Sequence, residues 1–273
     1  MVKKIIHLAD IHIPDNTDRP YKEMLESFFK QLYKNEIQGF DKEEIRIVVV
    51  GDIFHNKIRA TNEARELFHM FINYCYNLAK TYIITGNHDM LQKNKERLDT
   101  ISPSFSLLED NDDIIYLDKE LEYQSGIFED ENIIWNLFSM HNDFAPTNIS
   151  HKDYPEHKIV GLYHGDVAGA VTDIGRMCDT GIDTNFFSEC DCVMAGHIHK
   201  FQEIKKEGVP IVYAGSLFQQ DSGENITGHG YVVWNMEDMT YKHVEIENNY
   251  RIFKFKINDF NAFKEDKEEI LNY

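Results

Sequence analysis

The sequence predicts an α/β protein: a four-layer sandwich of two mixed β-sheets packed face to face, with helices outside. Three observations predict it. Short apolar, β-branched runs alternate with amphipathic helical stretches in the first half of the chain, in the order β-α-β-α-β. A meander of shorter strands separated by acidic turns follows, and then further strands. Five of the strands also stop sharply and run straight into Asp, Asn or His, as ligand-bearing loops do at the carboxyl ends of strands in open α/β sheets.

The central element is Ile45 to Val50, a continuous apolar run of the kind that forms a fully buried parallel strand. It ends in Gly51-Asp52-Ile53-Phe54-His55. Before it, Ile5 to Leu8 reads as a first strand leading into Ala9-Asp10-Ile11-His12, and Ile13 to Pro20 as a polar loop. Tyr21 to Asn35 places Met24, Leu25, Phe28, Phe29 and Leu32 at helical spacing, and Gln38 to Asp41 turns the chain into the central strand. Thr61 to Ala79 is a second amphipathic helix, with Leu67, Phe68, Phe71, Ile72, Cys75 and Leu78 on its apolar side and His69 at the surface. Tyr82 to Ile84 is the third strand, ending in Thr85-Gly86-Asn87-His88-Asp89.

Lys95 to Leu108 reads as loop and helix, with Pro103 in a first turn. Ile114 to Leu117, Leu121 to Phe128 and Asn132 to Phe138 read as shorter strands in antiparallel pairing. His141, His151 and His157 fall in the polar loop beyond them, which suits solvated side chains. Lys158 to Tyr163 then delivers His164-Gly165-Asp166, and Cys192 to Met194 delivers Ala195-Gly196-His197-Ile198-His199. Phe201 to Lys206 and Val209 to Tyr213 form a hairpin around Glu207-Gly208, and Ser216 serves as a turn hydroxyl beside Gly215. Tyr231 to Asn235, Tyr241 to Ile246 and Arg251 to Ile257 suggest further strands, and Phe260 to Leu271 a last helix. Residues 1–247 are read as one domain and 248–273 as the start of an accessory or capping segment.

Composition narrows the function classes. The chain has 273 residues, 42% of them hydrophobic, which is ample for one large core. No apolar run approaches the ~20 residues of a membrane span, so a cytoplasmic protein (host cytoplasm, if viral) is expected. Cys75, Cys178, Cys190 and Cys192 form no repeated CxxC pattern, and Cys190-Asp191-Cys192 reads as small residues opening a buried strand. A net charge of −19 argues against broad coating of nucleic acid. Local distribution differs, because Lys57, Arg59 and Arg65, then Lys93, Lys95 and Arg97, then Lys200 follow the strand-end clusters. Much of the acid lies elsewhere, in Glu109 to Asp113, Glu129 to Glu131 and Glu265 to Glu269.

Carboxylates, an amide and imidazoles from five loops converge only if something offsets their mutual desolvation, and two divalent cations do so. This donor mixture suits manganese or iron, with zinc or magnesium as alternatives. A pair of ions ~3.5–4 Å apart clamps a phosphoryl group and generates a nucleophile near neutral pH. Asp52, ending the central strand, is the carboxylate best placed to bridge them. His88, beside Asn87, stands where a proton donor to a leaving oxygen is needed.

Asp-x-His, Gly-Asp-x-x-His, Gly-Asn-His-Asp, a strand-end His and Gly-His-x-His, in that order, resemble the calcineurin-like metallophosphoesterases. Within them His7 to His12, Gly51 to His55, Gly196 to Lys200 and Val212 to Leu217 look like the SbcD-type DNA double-strand-break repair nucleases. The resemblance covers about the first 220 residues. It implies the metallo-dependent phosphatase fold, with Asp10, His12 and His199 on one metal, Asn87, His164 and His197 on the other, and Asp52 bridging. It implies His88 as the catalytic histidine, with His55 placing DNA or orienting His88, and in-line attack on phosphorus by a metal-generated hydroxide.

Lys57, Arg59, Lys93, Lys95 and Lys200 are then the candidate DNA contacts. The resemblance also implies an SbcC-type coiled-coil ATPase partner, against which the short stretch after Asn248 argues, and a homodimer to which Leu67, Phe68, Phe71 and Ile72 would contribute. The alternative on the same metal core is a phosphatase or cyclic-nucleotide phosphodiesterase, favoured by the acidic total. A metal-bound scaffold would require a missing ligand or a missing His88, and neither is missing.

Overall fold

A computed structural model describes residues 1–16, 20–108, 110–204 and 208–254. Two mixed six-stranded sheets face one another, flanked by helices. The first holds β1 (Lys4–Leu8), β2 (Ile45–Val50), β3 (Lys80–Ile84) and β4 (Ile114–Tyr116) in parallel. At its other edge β11 (Gly230–Asn235) runs antiparallel to β1, and β12 (Tyr241–Glu245) antiparallel to β11. In the second sheet β6 (Ile133–Phe138), β7 (Lys158–His164), β8 (Cys192–Gly196) and β10 (Ile211–Tyr213) are parallel. Antiparallel edges close it, β5 (Gly126–Asp130) beside β6 and β9 (Gln202–Ile204) beside β10.

Alternation along β2 explains its place. Ile45, Ile47 and Val49 point to the layer of α1 (Tyr21–Leu32) and α2 (Asn62–Leu78), where they meet Phe28, Phe29, Phe68 and Phe71. Val48 and Val50 point inward, into an intersheet core with Ile5, Tyr82, Trp135, Leu162, Met194 and Trp234. On the outer face of the second sheet, Phe138, Tyr163, Phe187 and Tyr213 form a third cluster under irregular segments and the short turn Thr184–Phe187. Thr61 caps α2, its side chain accepting the Ala64 amide at 3.2 Å.

Several expectations shift. The first helix gives way after Leu32 to a wider π turn, Tyr33–Ile37. The helix around Pro103 is a single turn, α3 (Ser102–Phe105). β4 pairs parallel to β3 rather than antiparallel, because α3 and its loops carry the chain back across the sheet. The strand read over Leu121 to Phe128 begins only at Gly126. Leu117–Glu120 makes a helical turn, α4, and Glu122 and Tyr123 take positive φ (52° and 59°), which breaks an extended run. The hairpin of β9 and β10 is present, but its turn at 205–207 lies outside the described residues. So do 255–257 of the run Arg251 to Ile257 and all of Phe260 to Leu271; residues 251–254 carry no strand. Leu67, Phe68, Phe71 and Ile72 are buried against the first sheet. No helix among the described residues is long and apolar enough to cross a membrane.

Candidate metal centre

All five ligand-bearing loops leave the carboxyl ends of parallel strands, β1, β2 and β3 in one sheet and β7 and β8 in the other. The loops after β1 and β2 run as a pair. The Asp10 amide donates to the Gly51 carbonyl at 3.1 Å, His12 to Asp52 at 2.9 Å and Ile13 to Ile53 at 2.8 Å. Asp10, His12, Asp52 and His197 all have positive φ, 52°, 50°, 52° and 98°. Left-handed backbone is unfavourable for such residues and persists only where surrounding contacts hold it, as at functional sites. Gly86 shows how close the loops come: a Cβ there would lie 2.3 Å from Asp52 Oδ1.

The side chains gather in two groups. Asp10, His12 and His199 form one, with His12 Nε2 3.0 Å from His199 Nε2 and His199 Nε2 4.0 Å from Asp10 Oδ1. Asp52, His164 and His197 form the other, and Asn87 joins them, its Oδ1 3.2 Å from His164 Nε2 and 2.6 Å from His197 Nδ1. Asp52 belongs to both. Its Oδ1 is 3.3 Å from His164 Nε2, and its Oδ2 is 3.6 Å from His12 Nε2. Backbone amides steady the acids: His197 N–H donates to Asp10, and His88 N–H to Asp52 Oδ1 at 2.6 Å.

The donor chemistry fits divalent cations. His164 Nδ1 lies 2.8 Å from the Val50 carbonyl, which can only accept, so Nδ1 carries the hydrogen. Once its proton is displaced, Nε2 offers a lone pair beside the Asp52 and Asn87 oxygens. His199 repeats the pattern, with Nδ1 2.6 Å from Glu224 Oε1 and Nε2 toward Asp10 and His12. Lone pairs aimed at one another from several loops make chemical sense around a positive ion. Oxygen and imidazole donors without cysteine suit hard or borderline metals.

The electrostatics agree. Burial opposes charge on Asp52, yet His164 beside it outweighs that and keeps the carboxyl below its usual range. Burial likewise opposes a proton on His164, but the Asp52 charge lifts its pKa to about 9. Burial pushes Asp10 up to about 6.

His88 stands outside both groups. Its ring is edge-on to His12 at 4.8 Å between centroids, and its Nδ1 is held 2.7 Å from the His55 carbonyl. That contact leaves Nε2 as the nitrogen able to exchange a proton with a bound substrate. His55 thus touches His88 through its backbone, while its exposed ring sits 5.8 Å from that of His88.

The expected DNA contacts are less uniform. Lys93 and Lys200 are exposed and Lys57 half-buried. Arg59 is paired with Asp15 at 3.2 Å and Lys95 with Asp143 at 2.5 Å. His151 and His157 lie near Asp191 and Glu129, away from the ligand-bearing strand ends. His141 points Nε2 at the Thr85 hydroxyl (3.2 Å), behind the Asn87 turn.

The profile of the calcineurin-like phosphoesterases matches residues 3–201, nearly three quarters of the chain and every one of these ligands. The chain belongs to that family. This phosphoesterase is also 35% identical over 269 residues to the uncharacterized protein R555 of Acanthamoeba polyphaga mimivirus. That match takes in 94% of the chain and only 19% of the viral protein's length. Among solved structures it is similar to hypothetical protein PH1004 of Pyrococcus horikoshii OT3, with TM-score 0.47 and 14% identity over 99% of this chain and 94% of that one. It is also similar to purple acid phosphatase PPD1 from yellow lupin (Lupinus luteus) seeds, with TM-score 0.49 and 11% identity over 89% and 53%.

Two residues of the site escaped the sequence reading. Asp89 is fully buried and accepts amides from Phe54 (2.9 Å), Gly86 (2.9 Å) and Ile53 (3.2 Å), tying the second loop to the third. It closes the Gly-Asn-His-Asp block, so its position was visible but its partners were not. Glu224 sits in a loop after β10, and no spacing or periodicity marks it.

Proposed function

We propose that this phosphoesterase is a dinuclear-metal nuclease that cleaves DNA phosphodiesters, with manganese as the preferred metal. The observation that carries the reading is Asp52, which gives one carboxylate oxygen to each ligand group. Asp10, His12 and His199 would hold one ion, Asn87, His164 and His197 the other, and Asp52 both. Bound there, two divalent ions would neutralise phosphoryl oxygens and supply the nucleophile at neutral pH.

The chain's own groups do the rest. The His55 carbonyl holds Nδ1 of the His88 ring, which leaves Nε2 to deliver a proton to the departing sugar oxygen. The amide of His88 holds Asp52 in place between the two groups. Lys57, Lys93 and Lys200, in the loops after the strand-end clusters, would contact the phosphates of the bound strand. DNA is favoured as substrate by the His7 to His12, Gly51 to His55, Gly196 to Lys200 and Val212 to Leu217 segments, which look like those of the SbcD-type nucleases.

A second reading, a phosphatase or cyclic-nucleotide phosphodiesterase, is favoured by a different observation. The net charge is −19, and Arg59 and Lys95 already have carboxylate partners. Incubation with Mn2+ and labelled linear and hairpin DNA, beside a cyclic dinucleotide and p-nitrophenyl phosphate, decides between them. Cleavage of DNA is expected. Hydrolysis of the small esters alone overturns the nuclease reading, and hydrolysis of none overturns the phosphoesterase reading.

A further inference from the structure

The loop between β10 and β11 lies beyond the residues that the family profile matches, yet it reaches the metal centre. Glu224 is its inward point. The side chain is 5% exposed; Oε1 lies 2.6 Å from His199 Nδ1, and Oε2 accepts the Gln220 amide at 2.7 Å. The loop is fastened along its length. His229 bridges Ser216 Oγ (2.9 Å) and the Asn225 carbonyl (2.7 Å). Gln219 exchanges hydrogen bonds with the backbone of Ile252, accepting at 2.8 Å and donating at 3.0 Å. Gln220 reaches the carbonyl of Ile11, the residue between Asp10 and His12. One strap therefore touches all the chain segments that supply the Asp10, His12 and His199 group.

We propose that Glu224 is a positioning residue for the ion held by that group. Its carboxylate takes the His199 Nδ1 hydrogen, which fixes the tautomer, aims Nε2 at Asp10 and His12, and strengthens the imidazole as a donor. The second group is built differently. There His164 is oriented by the backbone carbonyl of Val50, and no side-chain substitution removes that acceptor. Only one of the two ions depends on Glu224. The inference rests on the two-ion reading above and deepens it by separating the sites.

The experiment is titration of the metal-free chain with Mn2+ by calorimetry, with electron paramagnetic resonance following the coupled ion pair. Wild type, Glu224→Ala and Glu224→Gln are compared, and melting in EDTA reports whether each variant folds. Two uptake events are expected in wild type. In Glu224→Ala one event should weaken roughly 10–100-fold while the other stays unchanged, and the coupled signal should give way to that of isolated Mn2+ at low loading. Glu224→Gln, which keeps an acceptor but not the charge, should fall between. The Mn2+ concentration giving half-maximal turnover should move by the same factor. Two unchanged events, or equal weakening of both in a variant that melts like wild type, overturn the proposal. A wild-type chain that takes up no Mn2+ overturns the two-ion reading itself.

Discussion

Arg46 and Asp52 lie within seven residues of one another, at the two ends of β2, and both are buried charges, 2% and 1% exposed. Their surroundings are opposite. Arg46 crosses to the second sheet and grips Asp130 with two bonds, Nε to Oδ2 at 2.7 Å and Nη2 to Oδ1 at 3.0 Å. Its Nη1 donates to the Glu43 and Ile45 carbonyls at 3.0 Å. That end is closed electrically, with donors matched to acceptors. At the other end Asp52 faces Asn87, His12 and His164 across a space where lone pairs outnumber hydrogens. One end of the strand holds the sheets together unaided, while the other is complete only with cations. Stability is concentrated at the first and chemistry at the second, as expected where a functional site is built at some cost to the fold.

Substitutions at the two ends should therefore separate activity from stability. The largest effect on activity is expected from Asp52→Asn, which removes the shared charge. Turnover should drop by at least the roughly 10²–10³-fold seen when one stabilising group in a site is lost, and Mn2+ uptake should fall with it. Calorimetry of that variant checks the point: two ions still bound at wild-type affinity would mean Asp52 is not the bridge. His88→Ala should cost about 10²–10⁴-fold in rate while both ions remain, since no ligand is touched. Normal cleavage of DNA by this variant would remove His88 from the reaction. His88→Ala should leave the melting temperature in EDTA unchanged, whereas Asp52→Asn should lower it near neutral pH by removing the charge paired with His164.

Arg46→Ala should do the reverse. Stranding Asp130 in the intersheet layer is expected to cost about 3–5 kcal/mol of unfolding free energy. Replacing both partners, Arg46→Met with Asp130→Leu, should recover most of it, because a well-packed apolar pair removes the unpaired charge. Urea melts of the single and double variants test this, and Mn2+ affinity should be unaltered in both. A loss of metal binding in the double variant would show that the two ends of β2 are coupled after all.

The upper end was far more legible in sequence than the lower. Strand-end chemistry is local: Asp10, His12, Asp52, Asn87, His88, His164, His197 and His199 each follow a short apolar run, and the structure assembles seven of them into two groups with His88 beside them. Arg46 and Asp130 are 84 residues apart and carry no motif, so only the packing of one sheet on the other reveals the pair. Glu224 was hidden for a similar reason, since its loop is fixed by contacts to Ile11 and Ile252 rather than by any pattern of its own. The strand at Ile114 was legible, but its parallel pairing with β3 and the turn at Leu117 to Glu120 were not, since a three-residue run carries no sign of its partner or of where it stops. His7 illustrates the converse. It stands within a ligand-like block, yet it lies fully buried on β1, where burial pushes its pKa down to about 3 and leaves a neutral core side chain.

Acidity should distinguish the two ends most finely. Burial opposes the charge on Asp130, but Arg46 outweighs it and holds the carboxyl below its usual value. A folded pKa below the unfolded one, about 3.9, means stabilisation that is complete above that value and lost as pH falls through the folded pKa. At the metal end the sign is opposite. Burial alone would lower the pKa of both His164 and His199. Asp52 outweighs it at the first and Glu224 at the second, and each is raised to about 9. In EDTA their contribution is therefore full below about 6.5 and disappears as pH rises toward 9, so the metal-free chain should melt lower across that window. Mn2+ must displace those same protons, so its affinity should climb over the same range, roughly tenfold per pH unit for each proton released. Melting curves with EDTA and with Mn2+ should diverge steadily from pH 6.5 to 9. Below pH 4 the metal no longer binds and the two curves should merge, both falling with the Arg46–Asp130 pair. Parallel curves across the whole range would mean that the imidazoles of the upper end and the cations do not compete for the same lone pairs.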